Sequence, residues 1–274
     1  RPYTLKLVSG FIPKIEADQM AGLPVYGVTL YRKMVQSWLE RDHGKHHIRP
    51  DDKMQLAAHL AAFLWRNGSG SLGINEIENW FHLWIEDQPA LASRYSRIGA
   101  DQLEEDLRTA TFLSRQDGEE STFRFAHTSL QEFFLADYLV TAIRQNAPER
   151  WEMPVPSFET LDFLGQMFEE QKTDPDLMKT LQGWRKTCRQ NTSELLLAYA
   201  LRAHQNEWPM PVLHGINLNG IDLGNLKIGS DSGPPLILGP ANFRNTRLRR
   251  TSFVNVQLEG AKFNGAQMEQ ALFQ

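Results

Sequence analysis

From Leu213 onward the chain repeats every five residues. The positions are Leu213, Leu218, Leu223, Ile228, Gly233, Leu238, Phe243, Leu248, Phe253, Leu258, Phe263, Met268 and Phe273, and twelve of these thirteen are large and apolar. A period of five matches neither the 3.6 residues of an α-helix nor the two of a flat strand, so the backbone has to turn back regularly and stack its turns. Two residues before each slot lie Ile216, Ile221, Leu226, Ala241, Thr246, Thr251, Val256, Ala261, Ala266 and Ala271, with Pro211, Asp231 and Leu236 as exceptions. The later members are small, which suits a crowded interior corner. The stretch Gly229 to Pro235 (GSDSGPP) breaks the chemistry but keeps the count of five. It reads as a loop bulging from one coil.

The blocks Ala241-Asn242-Phe243 and Ala261-Lys262-Phe263-Asn264-Gly265 resemble the pentapeptide-repeat family, whose pattern is A-(N/D)-(L/F)-x-x. The resemblance implies a right-handed quadrilateral β-helix with four pentapeptides per coil. About 62 residues then give roughly three coils, stacked about 4.8 Å apart like neighbouring strands. Gln274 follows the last repeat with no evident cap. An open last coil is adhesive, so further repeats beyond Gln274 or self-association of two chains is expected there.

Before Pro211 the pattern is helical. Thr29 opens a helix to about Asp42, with Leu30, Met34, Trp38 and Leu39 on one face. Pro50 and Asp51 open a second through Arg66. Asn67 to Gly73 (NGSGSLG) reads as a loop, Asn75 to Glu86 as a Trp-rich core helix, and 100–110 as a fourth helix. Two runs of β-formers, 111–115 and 121–126, flank Asp117-Gly118, a hairpin signal. Thr128 with Gln131 makes a capping box for a helix to about Arg144. Three more helices are expected at roughly 158–171, 175–189 and 193–207. The order of helices, hairpin and helix outlines a winged-helix-like unit. The expected fold is thus a mainly α helical domain with a winged-helix-like unit, followed by the repeat solenoid. The expected boundaries are 1–145, a helical linker domain at 146–210, and the solenoid at 211–274.

The stretch Phe123-Arg124-Phe125-Ala126-His127-Thr128-Ser129-Leu130-Gln131-Glu132-Phe133-Phe134-Leu135-Ala136 resembles the winged-helix signature of NACHT-type (STAND) signalling NTPases. The block Leu30 to Arg41 resembles the helix those proteins carry upstream, and Arg1-Pro2-Tyr3-Thr4-Leu5 their segment just after the nucleotide-binding core. These matches cover about residues 1–145 in family order. The family consists of ATP/ADP-driven switches in which the winged helix folds back over ADP. The resemblance implies that His127 contacts the β-phosphate and Pro2 the adenine. An imidazole N–H at a helix N-terminus is a sound phosphate donor. The chain contains no G-x-x-x-x-G-K-(S/T), so it is expected to bind no nucleotide cofactor by itself and not to be an enzyme; ATP or ADP belongs to a parent protein whose P-loop domain lies ahead of Arg1. A chain starting at Arg1 rather than Met reads as a fragment. The expected partners are that NTPase domain and a protein trigger or effector.

The totals set further limits. The chain has 274 residues, 41% hydrophobic and 23% charged, with a formal net charge of -4. No apolar run is long enough to span a membrane. One cysteine, Cys188, cannot form an internal disulfide, which fits a cytoplasmic setting. His43, His46 and His47 cluster without a completing carboxylate or thiolate and read as a solvated helix end rather than a metal site. Residues 99–145 hold nine acidic and four basic residues, which argues against a phosphate backbone as ligand. The alternative function is a pentapeptide-repeat module that targets a nucleic-acid enzyme by DNA mimicry. That needs an acidic surface, whereas residues 211–274 carry four acidic and six basic residues, the basic ones clustering at Arg244, Arg247, Arg249 and Arg250.

Overall fold

The computed structural model describes residues 20, 26–41, 47–86, 88–99, 101–102, 105–106, 113–116, 122–171, 174–186 and 189–274. Two compact units follow one another, Arg1–Tyr138 and Leu139–Gln274.

In the first unit, α1 (Gly27–Arg41) buries Val28, Met34, Val35, Trp38 and Leu39, at helical spacing. Helix α2 (Pro50–Arg66) has proline at its first position and Asp51 and Asp52 in its first turn, where they face the positive end of the helix dipole. Its start is held from afar. The carboxylate of Asp106, 2% exposed, accepts the backbone N–H groups of His47 (3.0 Å) and Ile48 (2.7 Å), meets the His47 ring at 3.1 Å, and faces Lys53 at 4.0 Å. Asp52 in turn accepts from Arg94 and Tyr95, while the Tyr95 hydroxyl oxygen accepts the Arg49 N–H.

Strand β1 (Leu72–Gly73) leads into α3 (Ile74–Glu86), which buries Ile77, Trp80, Phe81 and Ile85. Short α4 (Pro89–Tyr95) follows, and residues 101–102 and 105–106 are helical. Strands β2 (Leu113–Gln116) and β3 (Thr122–Phe125) pair antiparallel, with Ser114 opposite Arg124. Strand β1 adds antiparallel to the other edge of β3, Leu72 opposite Phe123, giving the sheet order β1-β3-β2. The expectation that 67–73 is all loop is corrected here: a two-residue strand whose partner lies fifty residues on carries no local signal. Residues 117–118 lie outside the described residues.

Helix α5 (Thr128–Arg144) is buried on nearly every side, with Phe133, Phe134, Leu135, Ala136 and Leu139 essentially inaccessible. The division between the units falls within it.

In the second unit, Trp151 is fully buried, donates its indole N–H to the Leu139 carbonyl at 3.0 Å and meets Trp184 edge-on at 5.7 Å. Ser157 caps α6 (Phe158–Glu170) by accepting the Thr160 N–H. Helix α7 (Pro175–Gly183) stops at its glycine and tightens into a 3₁₀ turn, Trp184–Lys186, short of the expected end at 189. Helix α8 (Gln190–Asn206) packs on α6. The Trp208 ring lies directly on Gly165 of α6, where an added Cβ would come within 2.0 Å of it.

Beyond Pro211 the chain makes short strands in parallel register: β4 (Lys227–Gly229), β5 (Leu236–Ile237), β6 (Ser252–Val254), β7 (Val256–Gln257) and β8 (Leu272–Phe273). They form small parallel sheets, β4-β6-β8 and β5-β7, not a closed barrel. Single bridges extend the pattern, so three-residue columns run Asn217–Asn242–Lys262, Asp222–Arg247–Gln267 and Lys227–Ser252–Leu272, with Leu236–Val256 as a fourth, two-residue column. Partners lie 20 residues apart everywhere except across residues 229–235, where they lie 25 apart. The loop therefore adds five residues and leaves the columns aligned. Residues 231–235 are exposed, and Leu236 returns to the interior.

The apolar slots up to Phe253 point inward, whereas Leu258, Phe263 and Met268 are half-buried and Phe273 is exposed. Leu218, Ile228, Leu238, Phe243 and Leu248 are inaccessible, as are Ile216, Ala241, Thr246 and Thr251 two residues before a slot. The buried threonines satisfy their hydroxyls on backbone: Thr246 donates to Leu218 O and Thr251 to Leu223 O, both at 2.7 Å. Phenylalanines stack in columns, Phe243 on Phe263 and Phe253 on Phe273, each at 4.9 Å. Two residues after a slot the backbone turns through positive φ, at Gly220 (74°) and Asn245 (55°) for example, which is why glycine and asparagine recur there.

Candidate functional site

The NACHT resemblance singles out His127. Strand β3 buries Phe123 and Phe125, the chain turns at Ala126, and α5 begins at Thr128, so His127 sits at the junction of sheet and helix. Its Nδ1 accepts the backbone N–H of Ser129 at 3.1 Å, and its carbonyl accepts the Leu130 N–H at 3.0 Å. The side chain that caps α5 is therefore His127, one residue ahead of Thr128, the expected cap. The Ser129 hydroxyl lies against the same Nδ1 and accepts from the Tyr31 hydroxyl at 2.6 Å. Tyr31 also stacks on Phe133 at 5.8 Å, which holds α1 beside the start of α5.

The neutral tautomer that matches an Nδ1 accepting the Ser129 N–H is the one protonated on Nε2. The imidazole is thereby held at the positive end of a 17-residue helix. The sequence motif picked out His127. It missed Ser129 and Tyr31, which orient it; the only trace was a hydroxyl two residues past a turn histidine. Pro2 lies outside the described residues, as do His43, His46 and Cys188. His47 is engaged by Asp106. Among the described residues no group of three or more His, Cys, Asp or Glu is placed to hold a metal ion. No described helix is long and apolar enough to cross a membrane.

The basic cluster of the repeat segment is largely spent on neighbours one pass away. Arg247 pairs with Asp222 at 3.4 Å, Arg249 with Glu269 at 3.1 Å, and Arg250 donates to Gln270 at 2.9 Å. The Glu269 carboxyl is held below its ordinary range, first by its own backbone N–H and then by Arg249. These ladders are exposed and lie along the outer face.

The family model Pentapeptide repeats (8 copies) matches residues 241–274. The pentapeptide-repeat segment points to a protein–protein interaction module. No curated protein and no solved structure matches the chain. The NACHT resemblance of residues 1–145 rests on its motifs alone.

Proposed function

We propose that this chain is the regulatory portion of a nucleotide-switched signalling NTPase. In this reading a winged-helix-like unit senses ADP through His127, and the pentapeptide-repeat segment, continued as a right-handed quadrilateral β-helix, is a surface for a protein trigger or effector. The observation that carries the proposal is the tethered imidazole: Nδ1 accepts the Ser129 N–H, which fixes the ring at the N-terminus of α5, where a phosphate is favoured. The chain order of helix, strand, helices and hairpin, with sheet order β1-β3-β2, supports the winged-helix reading. The nucleotide would be held by a P-loop domain outside these 274 residues, with that domain as the chain's first partner.

A capping histidine with no ligand would look the same in the free chain, so the test separates the two roles. Asparagine caps helices well. His127→Asn, in the protein that carries the P-loop domain together with this region, should keep α5 intact. It should weaken ADP binding by about one to two orders of magnitude, the loss of one charge-assisted hydrogen bond. By linkage, losing a contact made only in the ADP-held form shifts the population toward the open form and speeds nucleotide exchange. Equal ADP affinities for mutant and wild type by calorimetry would remove His127 from the site. ATP turnover by residues 1–274 alone would overturn the regulatory reading as a whole.

A further inference from the structure

We infer that the cavity between α6, α8 and the first pass of the repeat segment is a binding site for an organic amine with an apolar body. The cavity measures about 720 Å³, within the range of small-molecule sites. Its walls are mainly apolar, with Leu161 from α6, Leu197 and Leu201 from α8, and Leu223 and Leu226 from the repeat. All of these lie within the second compact unit.

The charges around it are uneven in a way that selects the ligand. Each cation at the wall has its own carboxylate. Arg202 forms a bidentate pair with Asp162, at 2.6 and 2.9 Å, and lies 5.3 Å over the Phe158 ring. Lys227 pairs with Asp231, and Asp222 is turned to Arg247. Glu194 is different: half-buried on the α8 wall, it makes no hydrogen bond or ion pair with a described residue. Its carboxyl is pushed up, first by burial and then by the nearby Asp222 charge. Glu159 stands exposed at the rim. An unmatched carboxylate in an apolar hollow beside a second one is stabilised by a cation. An ammonium group supplies both the charge and the hydrogen bonds, while an apolar body replaces water along the leucines. An anionic ligand would meet Glu194 and Asp222 with like charge. The site stands independently of the nucleotide-switch reading, since it uses none of the residues near His127.

The test uses the 274-residue chain and three probes that differ only in their polar end: 4-phenylbutylamine, 4-phenylbutan-1-ol and 4-phenylbutanoic acid. Calorimetry or ligand-observed NMR near neutral pH should rank amine first, by about tenfold or more over the alcohol, and acid last. Glu194→Gln should bring the amine down to the alcohol's affinity and leave the alcohol unchanged. Ala198→Phe, a bulkier side chain on the same wall, should weaken amine and alcohol alike. Equal affinity for amine and alcohol, no measurable amine binding, full amine binding by the Gln variant, or indifference to Ala198→Phe would each overturn the assignment.

Discussion

Truncating Phe253 to alanine tests what holds the second unit together. The side chain is 1% exposed, lies flat on Phe273 at 4.9 Å and meets Phe243 edge-on at 5.7 Å. Removing a fully buried phenylalanine costs about 3–5 kcal/mol, of which each well-placed ring pair contributes about 0.5–1.5 kcal/mol. At about 1.4 kcal/mol per decade, opening of the unit rises between about a hundredfold and a few thousandfold. Hydrogen exchange read by mass spectrometry on proteolytic peptides would report it locally. The segment 213–274 should lose protection together with α6 and α8, because these helices belong to the same compact unit and α8, which packs on α6, also packs against β4. The turn Trp184–Lys186 ties in as well, the Asn217 N–H donating to Arg185 O and the Arg185 Nε–H to His214 O, each at 2.9 Å. Peptides from α1 and α2 should be unaffected. Phe273→Ala provides the scale, since that ring shares the stack but is 50% exposed and should cost about half as much or less. Unchanged protection of α6 and α8 alongside a collapsed repeat would refute the shared unit. A Phe273→Ala effect as large as that of Phe253→Ala would refute burial as the cause.

Other perturbations act on single contacts. Asp106→Ala removes the buried carboxylate that caps the entry to α2 and faces Lys53, and should destabilise the first unit by about 3 kcal/mol or more in urea unfolding. Gly165→Ala forces a methyl into the Trp208 ring; a fall of several degrees in melting temperature is expected, with a shift in Trp208 fluorescence. Glu194 binds its proton more tightly in the folded chain than at its ordinary 4.5, so it contributes a loss of stability as pH rises from about 4.5 through the folded value. Glu194→Gln should therefore melt higher than wild type near neutral pH and level with it near pH 4, as followed by circular dichroism.

The repeat was legible because its period belongs to no other structure. A large apolar residue every fifth position, with small residues two before the later slots, demands stacked turns, and Phe243, Leu248 and Phe253 lie inside as that pattern requires. The helices were legible through proline and acidic starts such as Pro50-Asp51 and Asp174-Pro175. The hidden features were nonlocal. Leu72 becomes a strand only because Phe123 offers an edge, and Asp106 becomes a cap only because His47 and Ile48 arrive beside it. The same holds at the candidate site. His127 was visible as a motif residue, but Tyr31, nearly a hundred residues away, joins it only through the packing of α1.

The loop at 229–235 has a consequence for how such a chain can vary. The repeat segment has a reading frame: a slot residue points inward only while every preceding unit has five residues. One residue inserted within a column would rotate each later phenylalanine from interior to surface, as a frameshift scrambles everything downstream. The loop leaves the columns after Gly229 and rejoins them at Leu236, so its length is uncoupled from the phase of the later units. Insertions there need not come in fives. It is a place where the frame can be reset, and where sequence can be gained or lost without disturbing Phe243 and the stack beyond it.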